Sequence, residues 1–158
     1  MPKIRAIRTE LEAFLRTTVR SEEPLLPDLS QLDVDHIMPR SWVTHCHMAD
    51  GTPVTGAETA AVELLSRSGM PLNERQKQIS DRQAGSATLG NLSQLNLGVN
   101  REAQNFAFAI KRDLLTASTN LRLNIPLFTL QAWDEASIAM RCKQLADAAL
   151  KIWPGPRP

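Results

Sequence analysis

The chain has 158 residues, 42% hydrophobic and 22% charged, with 18 basic against 17 acidic side chains. That is an ordinary globular balance, long enough for one domain whose core needs no disulfide staples. A formal net charge of +1 excludes nucleic-acid recognition by bulk charge and leaves any such task to local clusters.

Two cysteines, Cys46 and Cys142, lie far apart and in no C-x-x-C pattern, so free thiols in a reducing compartment are the simplest reading. No apolar run reaches signal-peptide or transmembrane length, which points to a cytoplasmic chain with no membrane partner.

In chain order, Ile4, Ile7, Leu11 and Leu15 recur at helical spacing and predict a helical N-terminal flank over 1–20. The prolines of 21–30 mark a connecting loop. "QLDVDHIM" (31–38) alternates Leu32 and Val34 with Asp33 and Asp35, a period of two that predicts a strand stopped by Pro39. Residues 42–56 read as loop, and 57–69 as an alanine-rich helix ended by Gly69. The polar run 70–88 reads equally as a solvated helix or a mobile loop.

"TLGNLSQLNLGVN" (88–100) predicts a second strand with a tight turn near Gly98. Phe106, Ile110 and Leu114 set the buried face of a helix over 101–118. "NLRLNIPLF" is ambiguous. A long helix follows over 132–153, with Ile138, Cys142, Leu145, Ala149 and Ile152 as its stripe, and a frayed tail beyond Pro154. Trp42, Trp133 and Trp153 read as core or rim packing.

Polar residues interrupt the apolar pattern at the end of the first strand (Asp33, Asp35, His36), on the second (Asn91) and at the turn beyond it (Asn100). Hydrolysis of a phosphodiester needs a base for the attacking water, and a neutral imidazole of pKa about 6.5 suits. It also needs positive charge where negative charge develops. A hard divalent cation supplies that through one or two protein oxygen ligands. His36, Asp35 and Asn100 are such a set, with Asn91 placed to hold the His36 loop by backbone hydrogen bonds. Adjacent strand residues face opposite ways, so Asp35 and His36 share a site only if regular pairing ends at about Asp35.

"DVDHIMPRSW" followed by "LGNLSQLNLGVNREAQNFAFAIKR" resembles the HNH (ββα-metal) nucleases, and locally the HNH domain of CRISPR RNA-guided nucleases. With the ending "WDEASIAMRCKQLADAALKIWP", the wider resemblance is to the C-terminal HNH domain of GmrSD-type modification-dependent restriction enzymes and of related phosphorothioate-sensing defence nucleases. It covers roughly residues 1–156.

The resemblance implies an α+β, mainly helical fold with a small ββα-metal core over about 31–118, an insertion at 42–86, and flanking helices. It implies a DNA endonuclease with His36 as general base and Asn91 as brace. Asp35 and Asn100 become ligands of Mg²⁺ or Mn²⁺. Asn105, Lys111 and Arg112 fall near substrate phosphate, where the alternative for the two cations is a solvated helix face. It further implies that the whole of 1–158 is one nuclease domain, the C-terminal part of a larger protein with an N-terminal nucleotide-hydrolysing sensor domain or companion. "SQLN" after "GNL" departs from the "TLL" of many members, and the third position of the motif is asparagine.

Asp33 either supports the site from behind or is simply solvated. His45 either approaches substrate from the insertion or is a plain surface histidine. Zinc at His45-Cys46-His47 is disfavoured, because consecutive residues coordinate one ion poorly. The residues also admit two rivals: a non-catalytic DNA- or partner-binding module of the same fold, and a nuclease acting on RNA.

Overall fold

The computed structural model describes residues 2–18, 28–96, 98 and 106–155. Among these are six α-helices and one two-stranded antiparallel sheet. In chain order they are α1 (Pro2–Thr18), β1 (Leu32–His36), α2 (Trp42–His45), α3 (Gly56–Arg67), α4 (Glu74–Ser86), β2 (Leu92–Asn96), α5 (Phe108–Ser118) and α6 (Glu135–Ile152). Each strand is entered through a 3-10 turn, Leu29–Gln31 before β1 and Leu89–Asn91 before β2. The architecture is α+β and mainly helical, with a small two-stranded core, as the sequence implies.

The polar run at 70–88 is settled as helix, and the reason is local. Asn73 accepts from the Gln76 amide at 2.9 Å, and the Gln76 side chain accepts from the Asn73 amide at 2.9 Å. Thr55 and Glu58 make the same reciprocal cap for α3. Such a box satisfies two amides that a helix start leaves without partners. Asp134 caps α6 by accepting from the Ser137 amide at 2.8 Å. The expected loop after Trp42 contains the short α2, and the second strand begins only at Leu92, after its 3-10 turn.

The residues just beyond β1 go straight into the core. Ile37, Met38 and Trp42 are at most 3% exposed and pack with Ile79, Leu115 and Ile138. A second cluster gathers Leu11, Leu123, Leu145 and Ala148. Gly90 lies hard against α6: a Cβ there would sit 2.6 Å from the Ile138 carbonyl oxygen and 2.8 Å from Cys142 Sγ. Only a residue without a side chain lets the turn before β2 come this close.

Two helices turn a different face inward than their apolar spacing predicts. Phe106, just before α5, and Ile110, in its first turn, are 44% and 49% exposed, while Lys111 and Leu115 are buried. In α1, Leu11 is buried as expected, but Arg8 and Glu12 are buried beside it and Ile7 is 38% exposed. The polar groups go in because acceptors and donors wait for them. Glu12 accepts from the Arg122 and Leu123 amides, each at 2.9 Å, and Arg8 donates to the Leu92 carbonyl at 2.9 Å. The α6 stripe follows expectation, with Arg141 buried next to it.

Candidate active site

Asn91 fixes the chain that leaves His36. Its backbone carbonyl accepts from the Ile37 amide at 2.8 Å. Its Oδ1 accepts from the Met38 amide at 2.8 Å and from Trp133 Nε1–H at 2.9 Å. Its Nδ2 donates to the Met38 carbonyl at 2.8 Å and to the Ser86 carbonyl at 3.0 Å. The amide thereby fills all four of its hydrogen-bonding positions while wholly buried.

The next residue, Leu92, is anchored from the other side. Its carbonyl accepts from Arg8 at 2.9 Å and from Arg141 at 2.8 Å. Burial lowers these guanidinium pKa values to about 10 and about 9, so both remain cationic at neutral pH.

The strand ladder pairs Asp35 with Ser93 and His36 with Leu92. Pairing therefore runs one residue further than the shared-site condition allows, and the two side chains alternate across the strand. The Asp35 carboxylate, 25% exposed, meets Lys111 Nζ at 3.5 Å. The same ammonium donates to the His36 carbonyl at 2.7 Å. Burial lowers the Lys111 pKa while the Asp35 charge opposes the shift.

The His36 side chain faces a cleft of about 380 Å³ lined by Ile4, Arg40, Ser86, Ala87 and Leu92. Arg40 Nε donates to His36 Nε2 across 3.4 Å. As the acceptor of this contact, Nε2 carries a lone pair, which fits the neutral form of the imidazole. Burial, then the Arg40 charge, hold the His36 pKa below its ordinary value, and the Asp35 carboxylate pulls the other way. The two members of the Asp-His pair thus remain close enough to feel each other's charge.

The other expected residues are less concentrated. Asn100 and Asn105 lie outside the described residues. Lys111 is 3% exposed and engaged with β1, so its expected phosphate contact meets a buried side chain. Arg112 bonds to the Leu130 carbonyl at 3.1 Å and pairs with Asp113. Asp33 is tied to Arg5 of α1 at 3.2 Å. His45 is exposed at the end of α2. Burial raises the Cys46 thiol pKa. Nothing in the sequence pattern singles out Arg40, which directly follows Pro39.

The end of β1 thus places a half-buried histidine beside a cleft, on a turn braced by Asn91. Over residues 2–148 the chain matches the family of GmrSD restriction endonucleases, C-terminal domain, and it belongs to that family. This is a family of nucleases of restriction defence. No curated protein and no solved structure matches the chain. Among the described residues no helix is long and apolar enough to cross a membrane.

Proposed function

We propose that the chain is an HNH-type, metal-dependent DNA endonuclease, the effector of a restriction or anti-phage defence protein, with His36 as general base. One observation carries the reading: the His36 imidazole lines a cleft, accepts at Nε2 only a long bond from the Arg40 guanidinium, and stands on a strand end that Asn91 locks. A base must be deprotonated at working pH and held still, and both conditions are met by burial and by the brace.

In this reading a water at Nε2 gives its proton to His36 as its oxygen bonds to phosphorus. The bond from phosphorus to the 3′ oxygen breaks, and that oxygen takes a proton from solvent. The ends are a 5′-phosphate and a 3′-hydroxyl. Asp35, with Asn100, would hold Mg²⁺ or Mn²⁺; Asp35 and His36 take the last two paired positions of β1, where the ladder ends and each side chain still feels the other's charge. Asp35 fits such an ion: it is a partly exposed carboxylate whose hydrogen bond, to one ammonium, is long. When bound, the ion supplies positive charge to the phosphate and the departing oxygen. With only 4% aromatic residues there is no evident base-stacking platform, and contacts to the DNA backbone carry the binding. Sensing of a modification falls to a nucleotide-hydrolysing companion domain or protein.

Relaxation of supercoiled plasmid in Mg²⁺ or Mn²⁺ tests this, with EDTA and RNA digestions run alongside. Wild type nicks or cuts DNA only with metal, and His36→Ala slows cleavage by about 100-fold or more. Intact plasmid in every metal, or equal cleavage by the variant, sinks the reading.

A further inference from the structure

We infer that Arg40 grips the substrate phosphate in the His36 cleft, and that in the free protein the same guanidinium caps the imidazole until a phosphate draws it away. The inference rests on the nuclease reading of the cleft and adds to it the group that receives the substrate.

The first observation is what Arg40 lacks. Other arginines here are engaged: Arg5 with Asp33, Arg75 with Glu58, Arg82 with Glu135 and Arg112 with Asp113, while Arg8 and Arg141 face backbone carbonyls. Arg40 pairs with no carboxylate among the described residues, and its hydrogen bond goes from Nε to an imidazole, leaving both terminal nitrogens free. An exposed fork of free N–H donors matches two oxygens of a phosphate.

The second observation is where it stands. Ile4, Ser86, Ala87 and Leu92 complete the cleft and carry no charge, so Arg40 sets its sign beside a neutral histidine. Its backbone is also held. Met38 is bonded through both its amide and its carbonyl to Asn91, and Pro39 is buried, so the side chain swings from a fixed root.

The third observation is the length of the contact. At 3.4 Å the Arg40–His36 bond is at the weak end for a nitrogen donor. Two charge-assisted bonds to a phosphate outweigh it. Moving the guanidinium onto the phosphate uncovers the Nε2 lone pair, the atom that takes the proton of the attacking water. No proton changes hands in that movement. Arginine stays cationic and His36 stays neutral, so the base becomes available only where a phosphate is already bound.

Binding, kept apart from cleavage, tests this. Fluorescence anisotropy with a labelled DNA duplex in EDTA, over a salt series, compares the 158-residue wild type with Arg40→Gln, Arg40→Lys and His36→Ala, and uses Arg67→Gln as a surface-charge control. Arg40→Gln weakens binding roughly tenfold and makes the slope of log K against log salt shallower by about one. Arg40→Lys keeps the slope, because the charge remains, and loses part of the affinity with the fork. His36→Ala binds at least as tightly as wild type, because the cap has lost its acceptor. Unchanged affinity and slope in a folded Arg40→Gln overturns the inference, as does an equal loss in Arg67→Gln. A wild type that binds through Arg40 and never cuts leaves the grip standing and removes the endonuclease reading. One that cuts, with Arg40→Gln binding as well as wild type, does the reverse.

Discussion

Asp35 and His36 are neighbours in the chain, and the two sides of β1 on which they lie are built oppositely. On the Asp35 side, a lysine only 3% exposed reaches over from α5, meets the carboxylate and ties down the strand's last carbonyl. On the His36 side, an exposed arginine leans on the imidazole by one long bond, in a cleft open to solvent. The first cation is held by burial and two acceptors, and the second is free to leave. A strand that must stay fixed while a group beside it moves needs this asymmetry. The closed side gives the end of β1 its position, and the open side gives it access.

Removing what the two sides share has the largest effect. Asn91→Ala deletes four side-chain hydrogen bonds and strands the Met38 amide and carbonyl, the Ser86 carbonyl and the Trp133 indole N–H. Buried groups left without partners cost about 1–3 kcal/mol each. The variant therefore loses about 4 kcal/mol of stability in urea unfolding, and whatever still folds loses the fixed His36. A loss under about 1 kcal/mol means that the brace is not what sets the turn.

The sequence made this junction legible in outline. Alternation around Leu32 and Val34 marks β1, and the position of Asn91 before the second strand suits a brace for the His36 loop. What the pattern hid were the polar groups that fold inward. Spacing puts Phe106, Ile110 and Leu114 on the buried face of a helix over 101–118, whereas α5 buries Lys111 and Leu115, one residue out of phase with Ile110 and Leu114. Arg8, Glu12 and Arg141 are likewise buried on partners more than a dozen residues away in sequence: Leu92, the segment at Arg122 and Leu123, and Gly90. Hydrophobic periodicity cannot register an acceptor supplied by another element. The capping boxes at Thr55 and Asn73 are a different case. Their residues stand in plain order, and "NERQ" was sufficient to choose helix over loop for the run that follows.

The closed side alone is broken by Lys111→Met. Methionine keeps the packing volume but leaves the His36 carbonyl without its donor and Asp35 without its counter-charge. The expected loss is about 2 kcal/mol, roughly half that of Asn91→Ala, because the brace survives. Urea unfolding of the two variants and of their double mutant decides whether the closed side acts through the same junction. If the losses add, lysine and brace hold β1 independently. If the double mutant loses clearly less than the sum, they hold it together.

The open side is reached most finely through the titration of His36. Its pKa lies below the ordinary histidine value, first through burial and then through the Arg40 charge. A base held down in this way binds its proton more readily in the unfolded chain. Its contribution to stability is complete above the unfolded value and is lost as pH falls through the folded one. Arg40→Gln removes the second cause and leaves the first, so the pKa rises and still stays below the ordinary value. The acid-sensitive part of the stability curve becomes shallower by the same change. Nuclear magnetic resonance of the ring carbons resolves this, because there are three histidines and His36→Ala identifies the signal by its absence. A pKa that does not move in Arg40→Gln places the guanidinium away from the imidazole in solution. The contrast between the two sides of β1 would then have to rest on burial alone.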